Sequence, residues 1–204
     1  MKRLFIITAL FFCVAMAETA AQGMREIFIN APDSVFPLLT RINREDCVDF
    51  VDAGMRARVT NRLGGKSELL QITPVYMELK SSEYSTMQLR LLPFRGDTII
   101  AVARTVCAEA CDSRISFYKK SWEPAPVSFT RPAVSDFFLS PDSAALYMPK
   151  CDIYLVKLSL SPSDEALVAE YTMPEYMNEE DRAVVSPCLQ PLRYRWHGGT
   201  YVRE

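Results

Sequence analysis

"REDCVDFVDAGMRARVTNRLGG", Arg44 to Gly65, contains the change of period on which the fold turns. Up to Asp52 the apolar residues Cys47, Val48, Phe50 and Val51 cluster as on one side of a helix, leaving Glu45, Asp49 and Asp52 for the other. Asn43 suits the cap, Glu45 and Asp46 fall in the first turn where the helix dipole favours anions, and Gly54 suits the end. From Met55 the period drops to two. Ala57, Val59 and Asn61 alternate with Arg56, Arg58, Thr60 and Arg62, and Gly64-Gly65 then turns the chain.

Outward from this switch the same grammar repeats. Upstream, Ala31-Pro32-Asp33-Ser34 reads as a helix opening, with Val35, Leu38, Leu39 and Ile42 at helical spacing and Pro37 tolerable only in a first turn. Downstream, Val75, Met77 and Leu79 alternate with polar residues, and so do Met87, Leu89 and Leu91. "TIIAVARTV", Thr98 to Val106, is apolar on both faces apart from Arg104 and reads as a central strand, and "SRISFYKKSW", Ser113 to Trp122, follows it. The expected fold is α+β, an N-terminal helix pair followed by antiparallel β meanders.

The boundaries follow from composition. Residues 24–122 are expected to hold the helix pair and a sheet. Residues 123–150 carry five prolines, which forbid a long regular element, although Asp142 to Met148 has room for two helical turns; Phe129, Phe137, Phe138 and Leu139 make this a packed crossing segment. Residues 151–204 read as a second meander, "DIYLVKLSL", "EALVAEYTM" and "LRYRWHGGTYV", with a hairpin turn at Gly198-Gly199. "LRLLPFRGDTIIAVART" and "VKLSLSPSDEALVAEYT" share an order of features that fits either two tandem helix-plus-sheet repeats or ordinary hairpin patterning.

The first residues fix the expected compartment. Met1-Lys2-Arg3 is basic, Leu4 to Ala17 is apolar and uncharged, and Ala15-Met16-Ala17 is an A-x-A site; residues 1–17 therefore read as a secretory signal, with an alternative cut after Ala21. The apolar run is too short to span a bilayer, and Phe12 before Cys13 is too bulky for a lipidation site. Cleavage leaves 21 basic against 25 acidic side chains, mildly acidic and without runs of one sign, which argues against nucleic acid and anionic membrane surfaces. No later stretch is long enough for a transmembrane segment.

Candidate sites are few. Export permits disulfides, and Cys107-Ala-Glu-Ala-Cys111 is the one close pair among Cys47, Cys107, Cys111, Cys151 and Cys188. Two inert buried thiols are the alternative reading of that pair. Glu45, Asp49 and Asp52 on one helix face offer oxygen ligands to a divalent cation, but the stretch lacks a calcium-loop pattern, so a solvated face offset by nearby arginines is the preferred reading. His197 is the single histidine and sits beside the Gly198-Gly199 turn, which takes support from triads and zinc hydrolysis. Asp112, Asp136, Asp142 and Asp152 lie near expected loops, where two carboxylates at a suitable separation would serve hydrolysis. Trp122, Tyr194, Trp196 and Tyr201 would line a peptide or glycan surface or, as the preferred reading, cover a small core. Arg95-Gly96-Asp97 spells an adhesion tripeptide where a hairpin needs a turn. No nucleotide or hydrolase fingerprint appears, and no cofactor is expected.

"FINAPDSVFPLLTRINREDCVDFVDAGM", "NRLGGKSEL", "MQLRLLP" and "DSRISFYKKSW" together resemble a family of exported proteins from Bacteroidales bacteria, domain of unknown function 3256. The resemblance implies the periplasm or cell surface of a Gram-negative bacterium and brings no catalytic residues with it. The order of elements is also similar in topology to tandem β-lactamase-inhibitor-like domains. The functional expectation is a non-enzymatic binding or assembly module of the cell envelope, with a protein, peptide or glycan partner; the alternative is a small hydrolase using loop carboxylates.

Overall fold

The structure is a computed structural model and describes residues 23–204, so the stretch read as a secretory signal, its two candidate cuts and Cys13 lie outside the described residues. The fold is α+β. Helices α1 (residues 23–29) and α2 (Arg41–Asp52) precede an antiparallel sheet of six strands in sequence order: β1 (Arg58–Thr60), β2 (Lys66–Ile72), β3 (Tyr76–Lys80), β4 (Ser85–Phe94), β5 (Asp97–Cys107) and β6 (Cys111–Lys119). Helix α3 (Pro141–Tyr147) and strands β7 (Val156–Leu160) and β8 (Ala166–Tyr171) follow. Helix α4 (Glu179–Val185) and strands β9 (Leu192–His197) and β10 (Thr200–Arg203) complete a second sheet ordered β10-β9-β8-β7. By contact density the chain divides into two compact units, up to Glu78 and from Leu79 onward, the division falling inside β3.

In the first unit the opening helix is not where spacing put it. Residues 30–40 form turns, closed by i,i+3 bonds from the Val35 amide to the Pro32 carbonyl (2.9 Å) and from the Leu39 amide to that of Phe36 (3.0 Å). Pro37 disfavours helical backbone at Phe36 and lacks the amide a helix would need. Val35 and Leu39 are buried all the same, whereas Ile42 is exposed. The cap of α2 is Thr40, and Asn43 is its reciprocal partner. The Asn43 amide donates to Thr40 Oγ1 (3.1 Å) and the Thr40 amide to Asn43 Oδ1 (3.2 Å).

The carbonyls left over by these turns are collected by a single buried side chain. Arg44 donates to the carbonyls of Leu39 (2.8 Å), Ala31 (2.7 Å) and Ile29 (3.3 Å) and to Asp33 Oδ1 (3.3 Å), and Arg62 holds the other oxygen of Asp33. Around it pack Met24, Phe28, Phe36, Leu39, Cys47 and Val48, with Phe28 and Phe36 edge to face at 5.1 Å.

In the second unit β5 runs between β4 and β6, and Ile99 to Ala103 are buried without a break, as its apolar sequence predicts. Arg95-Gly96 is the two-residue turn of the β4–β5 hairpin, with φ of +51° and +81°. In the second sheet Val156, Leu158, Leu160, Leu167, Ala169, Leu192, Tyr194, Trp196 and Tyr201 share the buried face.

Strand β7 lies at the end of that sheet, and its outward amides are already used. Val156 N donates to Asp112 Oδ1 (3.1 Å), Leu158 N to Ser113 Oγ (2.9 Å) and Leu160 N to Gln88 Oε1 (2.9 Å). Two strands of the six-stranded sheet, β4 and β6, thus supply side-chain acceptors at every second residue, the period at which a strand presents its amides to one side.

Candidate functional site

Strand β8 ends at Tyr171, and two X-Pro steps and a capped helix organise the return of the chain to β9. Pro174 opens a 3-10 turn (Met173–Tyr176), Asn178 caps α4 by accepting from the Asp181 amide (2.9 Å), and Pro187 opens a second 3-10 turn (Ser186–Cys188). Arg182 ties the first turn to the helix, donating to the carbonyls of Pro174 (3.0 Å), Glu175 and Met177 (3.5 Å). The second turn is anchored to the crossing segment by bonds from the Leu139 amide to the Cys188 carbonyl (2.9 Å) and from the Gln190 amide to that of Phe137 (2.8 Å).

These segments border an open cleft of about 200 Å³. Its walls are apolar, from Tyr171, Pro174, Leu189 and Pro191, and its polar groups are Glu170, Glu175, Ser186 and Gln190. Tyr171 is fixed from behind, its ring stacked on Phe137 at 5.6 Å and its hydroxyl donating to the Ile153 carbonyl (2.7 Å); burial pushes that phenol well above its ordinary range. Glu170 faces Lys157 across the sheet at 3.4 Å, and Glu175 faces Arg182 at 3.6 Å. Both carboxylates remain about half exposed. Tyr176, next in sequence to Glu175, and Leu139, bonded through its amide to the Cys188 carbonyl, are exposed, as are Leu146, Met148 and Val184.

The residues singled out by sequence lie elsewhere. Glu45 is held by Arg41 (2.9 Å) and Asp52 by Arg25 (2.6 Å), Asp49 faces solvent, and no group of three metal-ligating side chains occurs among the described residues. Cys107 and Cys111 are joined by a disulfide, directly opposite each other at the end of β5 and β6, while Cys47, Cys151 and Cys188 are free. The Thr172 hydroxyl donates to the Cys111 carbonyl (2.5 Å) and accepts from its amide (3.2 Å).

Tyr194, Trp196 and Tyr201 are buried and line no surface; with Phe117 and Phe129 they form an aromatic cluster, the Trp196 and Tyr201 rings meeting at 5.1 Å. The Trp196 indole donates to the Pro93 carbonyl (2.7 Å). Trp122 is half-buried against Tyr118 at 5.6 Å. His197 is exposed at the end of β9. Of the loop acids, Asp112 accepts from Arg131 (2.5 Å) and from Val156, Asp136 accepts from the Ala133 amide (2.8 Å), Asp142 lies in the first turn of α3, and Asp152 is exposed. The cleft was invisible to motif reading. Its one local signature is the pair Met173-Pro174 and Ser186-Pro187 bracketing "NEED", Asn178 to Asp181, which marks a capped short helix between two sharp turns.

A solved structure of a domain of an uncharacterized protein from Porphyromonas gingivalis W83 is similar to this chain over 90% of its length and 98% of its own, with a TM-score of 0.77 and 26% sequence identity. No curated protein matches the chain. The family model for Protein of unknown function (DUF3256) matches residues 16–201, nearly the entire chain, and this protein belongs to that family.

Proposed function

We propose that the protein is an exported binding or assembly module of the cell envelope, in the periplasm or on the surface, and that the cleft between β8 and β9 is its recognition surface. The observation that carries this reading is the make-up of the cleft: four apolar lining residues, of which Tyr171 is fixed from behind by Phe137 and the Ile153 carbonyl, with two half-exposed carboxylates at hand. Leu139, bonded through its backbone to Cys188, and Tyr176, beside Glu175, add exposed apolar side chains. The basic and apolar residues 1–17 support export.

Hydrolysis is the second reading, because the same cleft gathers two carboxylates. A general acid works from an apolar setting, whereas Glu170 and Glu175 are half exposed and each faces a cation, which favours recognition over chemistry.

A photo-crosslinking residue placed at Leu189, with Val202 on the outer face of β10 as control, tests the proposal in cells. A reproducible adduct at Leu189 and not at Val202 is expected, in the envelope fraction. No adduct, together with turnover of a model glycoside that Glu170→Gln abolishes, establishes the hydrolase instead.

A further inference from the structure

We propose that the cleft receives one lysine or arginine side chain of an extended peptide, its stem against Tyr171, Pro174, Leu189 and Pro191 and its cationic head at Glu170 and Glu175. This rests on the reading of the cleft as a recognition surface and names what it recognises. Size comes first. At about 200 Å³ the cleft falls below the roughly 300–1,000 Å³ of pockets that enclose a small-molecule ligand, and it matches a single long side chain.

The lining chemistry then selects the side chain. The lining combines apolar walls with two carboxylates, and a lysine or arginine offers both methylenes and a charge. No cation is among the lining residues. The carboxylates have acceptor capacity to spare: neither accepts a hydrogen bond from a described side chain, and their contacts with Lys157 and Arg182 are 3.4 and 3.6 Å long. By contrast Asp112 and Asp181, elsewhere in the same unit, are engaged by short bonds. An entering ammonium or guanidinium gains the charge-assisted bonds that the resident cations leave unmade. An acidic side chain meets two like charges, and a neutral aliphatic one gains no charge contact with either carboxylate.

A peptide is favoured over a free amine by the surroundings. Leu139, exposed and tied through its backbone to Cys188, and Tyr176, exposed on the 3-10 turn, offer contact to the residues on either side of the bound one.

The test is an amide-shift titration of the isotopically labelled protein. The probes are the capped pentapeptide Ala-Leu-Lys-Leu-Ala, its norleucine counterpart and n-butylammonium. The lysine peptide is expected to shift the amides of Tyr171, Glu175, Leu189 and Gln190 and to weaken as salt is raised. Binding by the norleucine peptide, or by the double variant Glu170→Gln/Glu175→Gln, should be weaker by about tenfold, the scale of a single well-placed charge contact. Equal binding of the norleucine peptide, shifts confined to other residues, or an unaltered affinity of the double variant overturns the proposal. Butylammonium binding as tightly as the peptide reassigns the cleft to free amines and overturns it too. A failed titration beside a specific Leu189 adduct removes only the cationic ligand, whereas absence of both removes recognition by the cleft altogether.

Discussion

Arg44 organises the first unit because its guanidinium supplies donors in a fixed fork, and three turn carbonyls plus Asp33 accept them in a buried setting. Arg44→Met keeps the stem but leaves those carbonyls without donors, so a loss of about 2–4 kcal/mol is expected by urea unfolding. Arg95 is the reverse case, a side chain whose backbone is the issue. At φ +51° it occupies the left-handed region that asparagine and glycine tolerate, and Arg95→Asn should raise stability by about 0.5–1 kcal/mol, read as a shift in the urea midpoint. Cys47 is fully buried, and burial pushes its thiol up to about 11 from 9.0. The sign is that of a raised acid: its contribution to stability is complete below pH 9.0 and is lost as pH climbs toward 11. Alkylation of the native protein at pH 8 should therefore mark Cys188 first and leave Cys47 unlabelled until denaturant is added, as peptide mass mapping would show.

Among elements, α2 and β5 were legible because each is specified by its own sequence: an amphipathic run ending in Gly54, and a strand apolar on both faces and flanked by partners. The segment at residues 30–40 was misread as helix because its apolar spacing fits one, while two prolines and the reach of Arg44 from the next helix decide the backbone. Helix α4 has no counterpart in the sequence reading, which gives its stretch to the second meander; its seven residues, buried only at Val185, carry little apolar periodicity. The cleft went unseen for a different reason. Its walls come from β8, two 3-10 turns and the run before β9, and no local pattern says that these meet. Strand β7 depends on residues distant in sequence as well. Ser113 is buried, and Ser113→Ala strands the Leu158 amide at an estimated cost of about 1–3 kcal/mol, with the fastest gain in hydrogen exchange expected at Leu158 itself.

At the scale of the molecule, paired surface acids set the response to pH. Arginine neighbours hold Asp33 and Glu68 below their ordinary values of 3.8 and 4.5, Arg195 does the same for Glu204 and Lys150 for Asp181. Each contributes stability above its unfolded value that is lost as pH falls through the lower folded one, so the melting temperature should be level from pH 7 to about 5 and decline below about 4.5. The fold class and the disposition of most strands were available from alternation, since alternation is a local property, while the pairing of β7 with acceptors 44 to 72 residues away was not. That pairing has a consequence for how the protein behaves when concentrated. A row of amides bonded to Asp112, Ser113 and Gln88 offers no template on which an incoming chain could stack, so fibre growth seeded along β7 is closed off.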